Sequence, residues 1–230
     1  MSGCFAEEIR TALFEARDEQ YKTFHSKLLP TIEASRLIGV RMPIQRKIAK
    51  AYRQDARVSE YLAMTHHDYL EEINVHGFFI DELKDFDDCV TQTQAFLPQL
   101  DNWATCDTFS PKIFKKYPAE VEVLAFDWME DAAYPYTVRF GINTLMRHYL
   151  GEYFKPFHLE KVAACCSDEY YVNMGVAWYF SMALAKRYEM ALPWIAEKRL
   201  PEWVHRKSIQ KAIESRQVPV EHKKILKTYR

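Results

Sequence analysis

Ten prolines punctuate this 230-residue chain, and the apolar residues between them recur at three- and four-residue intervals instead of alternating. That spacing lines one face of an α-helix, whereas a half-buried strand would need a period of two. Proline lacks the N–H that a helix interior needs, so it is tolerated in a first turn or outside the helix. Prolines 98, 111, 118, 135, 156, 193, 201 and 219 all fall near the edges of periodic stretches. With only six glycines and almost none of the dipeptides that close tight hairpins, the chain is poorly equipped for an all-β fold. The expectation is all-α.

In the first forty residues Ile9, Leu13 and Ala16, then Phe24 and Leu28, mark two short helices with their buried faces, and Asp18 is placed to cap the second. Met42-Pro43 opens the next, with Ile44, Ile48 and Ala51 as its apolar stripe. Further helices are expected near 57–64, 66–80, 85–97, 99–106, 110–117, 118–130, 135–150, 157–165, 168–188, 189–198, 203–216 and 219–228. No segment is long or polar enough to be a linker, so residues 1–230 are expected to form one domain. Helix pairs at a period near 35–45 residues resemble HEAT-type repeats stacked into a right-handed α-solenoid, whose concave face would suit an elongated partner such as a duplex.

Five cysteines, Cys4, Cys89, Cys106, Cys165 and Cys166, form neither an even set nor a C-x-x-C pair, so neither a disulfide framework nor a zinc site is expected. His66, His67 and His76 do not have the i, i+4 spacing of a helical zinc site. The N-terminus carries no basic segment leading into an apolar run, and no uncharged apolar stretch approaches 18 residues. A cytoplasmic monomer without cofactor or metal is the expectation.

The net charge of -1 conceals a strong division along the chain. Residues 60–101 are heavily acidic, while 41–57 and 197–230 are rich in lysine and arginine. Such a chain can present a basic face despite its balanced total, although solvated helix faces would give the same pattern.

The chemistry concentrates in a few places. Trp103 and Asp107 stand four residues apart, which would set an indole face and a carboxylate on one side of a helix, an arrangement suited to a cationic guest. Taken alone the pair also reads as a core tryptophan and a capping aspartate. Arg139 lies in Tyr136-Thr-Val-Arg-Phe-Gly-Ile142, Trp178 follows Asn173-Met-Gly-Val-Ala177, and a basic run His205-Arg-Lys-Ser-Ile-Gln-Lys211 closes the series. No Gly-rich phosphate loop and no G-x-S-x-G elbow occur.

Together with Gly39-Val-Arg-Met-Pro43-Ile-Gln-Arg46, these motifs resemble, in order and spacing, the AlkD-type DNA alkylation-repair glycosylases. The resemblance runs from about residue 8 to the end. It implies HEAT-like repeats around duplex DNA and hydrolysis of the N-glycosidic bond of cationic N3- or N7-alkylpurines. By motif it assigns Asp107, Trp103, Trp178 and Arg139 to the lesion and matches Arg46 to a family position; Lys112, Lys207 and Lys211 join Arg46 as candidate phosphate contacts. Members use a second N-terminal helix, with a tyrosine and basic side chains, to reach the minor groove. In this chain the stretch 18–30 has its tyrosine, Tyr21, near the helix start. A non-catalytic DNA-binding paralogue recognising branched or distorted DNA, and a helical-repeat protein scaffold, are the alternatives.

Overall fold

The computed structural model describes residues 4–230, and these divide into two compact units that meet in sequence between Lys116 and Tyr117. Among the described residues all regular structure is helical.

The first unit carries α1 (Phe5–Glu15), α2 (Glu19–Ser26), α3 (Met42–Tyr52), α4 (Val58–Leu62), α5 (Leu70–Asp81), α6 (Phe86–Phe96) and α7 (Trp103–Thr108), followed by a 3-10 turn at Lys112–Lys116. All twelve residues of α5 are buried, because α1, α3, α4, α6 and α7 each pack against it. Its first turn holds two adjacent carboxylates with different tasks. Glu71 accepts the successive backbone N–H groups of Ile38, Gly39 and Val40 at 3.0, 2.8 and 3.2 Å. Glu72 takes the Arg10 guanidinium at 2.7 Å and its own helix's Tyr69 N–H at 3.1 Å. Two members of the acidic segment are thus spent internally, one fixing the loop that leads into α3 and the other docking α1. Gly39 sits at φ +96, where a Cβ would stand 2.6 Å from Lys22 Cβ and 2.8 Å from Asp18 O, so this turn needs glycine.

Asp18 caps α2 as expected, accepting the Tyr21 N–H at 2.8 Å. The buried stripes of α2 and α3 are each displaced by one residue from expectation. His25 and Leu29 turn inward, leaving Phe24 59% exposed. Gln45 and Ala49 turn inward in place of Ile44, Ile48 and Ala51. Gln45 takes its inward place because partners meet it there, donating to Val40 O at 2.6 Å and accepting from Asn74 at 2.9 Å; His25 stacks on Tyr21, its Nδ1 buried without a hydrogen-bond partner. The helix expected at 66–80 begins only at Leu70, and the one expected at 110–117 is the short 3-10 turn.

The second unit contains α8 (Pro118–Glu130), α9 (Pro135–His148), α10 (Phe157–Ala164), α11 (Tyr170–Lys186), α12 (Tyr188–Ala196), α13 (Glu202–Glu214) and α14 (Val220–Lys227). Every second helix packs side by side, α9 on α11 and α11 on α13, while α8, α10, α12 and α14 back this row. That is the packing of stacked helix pairs. α8 and α9 pack tightly at Gly141, where a Cβ would lie 2.7 Å from Ala125 O. Prolines 118 and 135 open helices and 156, 201 and 219 cap them, but Pro193 sits inside α12, contrary to its expected boundary role. No helix is long and apolar enough to cross a membrane among the described residues.

Candidate nucleic-acid interface

In the first unit the side chain of Asn102, the N-cap of α7, accepts the Thr105 N–H at 2.9 Å and so stops the preceding chain from continuing as helix. The helix therefore starts at Trp103, and Asp107 falls in its last turn. Ala104, Thr105 and Cys106 face the core, whereas Trp103 and Asp107 are half-exposed on the opposite side. The indole is held, not loose: Trp103 Nε1 donates to Leu28 O at 3.1 Å, and the ring packs on a cluster containing Leu29, Ile32, Leu37 and Leu70. An indole surface and a carboxylate one turn apart thus share a solvent-facing side, as the four-residue spacing predicts.

The same unit brings together two of the expected phosphate contacts. Arg46 of α3 and Lys112 line one cleft of about 260 Å³, with Lys50, Arg53, Phe78, Asp81 and Glu82. The Arg46 guanidinium lies 4.2 Å over the Phe78 ring and 4.0 Å from Asp81, while Arg53 is 3.9 Å from Glu82 and Lys112 also pairs with Glu82. That contact, with Lys84 and Arg53 nearby, lowers the Glu82 carboxyl below its usual range. Lys50 and Arg53 escaped the sequence reading, though they follow Arg46 at i+4 on α3 and at i+7 on its C-cap, a spacing that makes one face.

In the second unit Arg139 is only 4% exposed. Its guanidinium donates to Tyr171 O at 2.6 Å and its side chain lies over Gly175, one turn before Trp178. Trp178 itself is half-exposed, on the stripe of α11 that includes Tyr171 and Met174, although the helix is otherwise buried on nearly every side. Lys207 and Lys211, one turn apart on α13, are both partly exposed. Lys207 lies 5.7 Å over the Trp203 ring and donates to Gln210 at 2.9 Å.

An aromatic run that sequence reasoning missed crosses the first turns of the inner row. Tyr136 on α9 lies 5.8 Å from Tyr171 on α11, Tyr171 lies 5.0 Å from Tyr170, and Tyr170 lies 5.6 Å from Trp203 on α13. Each ring sits one or two residues into its helix, a register visible in sequence only once helix starts are fixed.

Other candidate chemistry is accounted for by packing. His67 Nε2 and His76 Nδ1 meet at 2.8 Å in the interior, where burial pulls the first down to about 4 and the second to about 3. Among the described residues no group of three or more His, Cys, Asp and Glu could hold a metal ion. All five cysteines are free thiols. Burial pushes Cys165 up to about 12 and Cys166 to about 11 at the edge of a cleft of about 390 Å³ on the second unit, far from the thiolate state that reacts.

A family model described as DNA alkylation repair enzyme matches residues 7–212, most of both units. No curated protein matches the chain.

Proposed function

Because this chain belongs to the DNA alkylation repair enzyme family, we propose that it is a monofunctional glycosylase releasing cationic N3- and N7-alkylpurines from duplex DNA. The observation that carries the reading is the half-exposed pair on α7, an anchored indole and a carboxylate on one side of a capped turn. Glycoside hydrolysis ordinarily needs an acid to protonate the leaving group. A cationic alkylpurine leaves as a neutral base, so one carboxylate suffices. Asp107 stabilises the oxocarbenium-like sugar and orients the attacking water. Trp103 offers its indole face to the electron-poor sugar and base, a contact worth roughly 0.5–2 kcal/mol, and Trp178 is the half-exposed indole that the second unit can offer.

Arg139, buried against the Tyr171 carbonyl and Gly175, takes a positioning role in this reading: it fixes α11 and hence Trp178. Arg46, Lys112, Lys207 and Lys211 bind phosphates, with Lys50 and Arg53 joining Arg46. No cofactor enters the reaction, the protein acts as a monomer, and free thiols suit a cytoplasmic setting.

The assay is release of 7-methylguanine from alkylated duplex DNA by purified protein. Wild type should exceed Asp107→Asn by about two orders of magnitude, the usual scale for losing one preorganised electrostatic group. Equal release by both at the uncatalysed rate overturns the enzymatic reading. One observation favours the second reading, a non-catalytic DNA-binding paralogue. Tyr21 is occupied, stacked on His25 and covered by the Arg41 guanidinium at 4.8 Å, so it does not serve as a groove probe. That protein would bind duplex or branched DNA with steep salt dependence and release no base.

A further inference from the structure

We propose that the cleft between α3 and the Lys112–Lys116 turn is a phosphate seat occupied in the free protein by its own Glu82, which stands in for a DNA phosphate and must be displaced when duplex binds. The proposal rests on the DNA-binding reading above and adds a self-competing anion to it. Two cations from separate elements, Arg53 at the C-cap of α3 and Lys112, converge on the Glu82 carboxylate, while Arg46 and Lys50 line the same cleft.

The location of this acid argues against a purely structural purpose. Glu82 is the C-cap residue of α5, where the helix macrodipole is negative and a carboxylate is disfavoured. Its neighbour Asp81 has a structural task, since Oδ1 accepts the Ser110 N–H at 2.8 Å and its side chain is 6% exposed. Glu82 is 32% exposed and its cations are 38% and 62% exposed. Pairs so open to water contribute little to stability and exchange readily for another anion. A lysine that must first give up Glu82 gains less from a phosphate, and the freed carboxylate takes up a cation in place of the one the DNA releases, so the internal pair weakens nonspecific binding and flattens its salt dependence. The penalty falls on damaged and undamaged duplex alike, so it shortens residence on bulk DNA without changing the ratio of the two affinities.

The test is fluorescence anisotropy on a short undamaged duplex across a salt series, with wild type, Glu82→Gln, and Glu60→Gln on α4 as a control for net charge. One more phosphate contact steepens the log–log salt slope by about 0.9 and tightens binding about eightfold near 0.1 M salt. Glu82→Gln should show both changes, and Glu60→Gln should leave the slope alone. Glu82→Asp keeps the charge but shortens its reach, and should give an intermediate slope; it carries the test if Glu82→Gln does not fold by thermal melt. If wild type binds duplex while Glu82→Gln binds equally or more weakly, Glu82 merely orients Arg53 and Lys112, and this proposal fails while the DNA reading stands. If none of the proteins binds duplex even at low salt, the DNA reading itself fails.

Discussion

Removing the Glu71 carboxylate should be among the most damaging single changes in the first unit. Its two oxygens accept three consecutive N–H groups: Gly39 and Val40 both reach Oε1, at 2.8 and 3.2 Å, and Ile38 reaches Oε2 at 3.0 Å. The side chain is fully buried, so water does not replace it. A buried N–H deprived of its partner costs about 1–3 kcal/mol. The three lie on one short loop that relaxes together, so their losses do not sum, and about 3–5 kcal/mol is expected for Glu71→Ala. Glu71→Gln keeps an acceptor for two of the bonds and turns an amide N–H₂ toward Ile38, for a loss of about 2–3 kcal/mol. At about 2–4 °C per kcal/mol for a chain of this size, the glutamine variant should melt roughly 5–10 °C below wild type and the alanine variant lower still. Because the loop leads directly into α3, duplex affinity should fall as well. Thermal unfolding followed by circular dichroism at neutral pH measures the order. If alanine costs less than about 1 kcal/mol, or glutamine costs as much as alanine, the carboxylate is not what holds this loop.

Three further outcomes are expected. Burial depresses His67 and His76 to about 4 and about 3, so their native state binds fewer protons than the unfolded chain. Their contribution is complete above the unfolded value near 6.5 and is lost as pH falls toward 4, by on the order of 3–5 kcal/mol for the coupled pair; a melting temperature unchanged between pH 7 and 5 would sink this assignment. Gly141→Ala should drive α8 from α9, since the new Cβ would lie 2.7 Å from both Ala125 O and Met129 Cγ, and denaturant titration should register a loss of about 1–3 kcal/mol. Arg46→Gln should reduce the salt slope of duplex binding by about 0.9 without altering preference among sequences, and an unchanged slope would remove Arg46 from the interface.

Much of the fold was legible because proline positions and apolar spacing are local signals. Asp18 as a cap and the Trp103–Asp107 pairing follow from chemistry within a few residues of each site. The failures share a non-local cause. Nothing near Gln45 announces that Val40 O and Asn74 will satisfy it, so Ile44 looked like the better inward residue. The exception is His25, which takes the inward place expected for Phe24 although its stacking partner, Tyr21, is only one turn away. In sequence the acidic block is a single charged stretch, yet Glu71 and Glu72 have partners more than thirty residues away. Among the site residues, Trp103, Asp107 and Trp178 are half-exposed on their helices. Arg139 is buried, because Gly175 leaves room for its side chain and Tyr171 supplies a carbonyl at the right distance.

The run of rings from Tyr136 through Tyr171 and Tyr170 to Trp203 has an optical consequence. Ring centres under 6 Å apart allow excitation absorbed by the tyrosines to pass to the indole, whose lower excited state traps it. Trp203, 41% exposed and lying beneath Lys207, then emits from the surface and is sensitive to anything that covers it or draws the ammonium away. The second unit thus contains its own fluorophore. Excitation in the tyrosine band also excites Trp128, Trp178 and Trp194 of the same unit directly, so the signal from α13 is the part of the emission that Trp203→Phe removes.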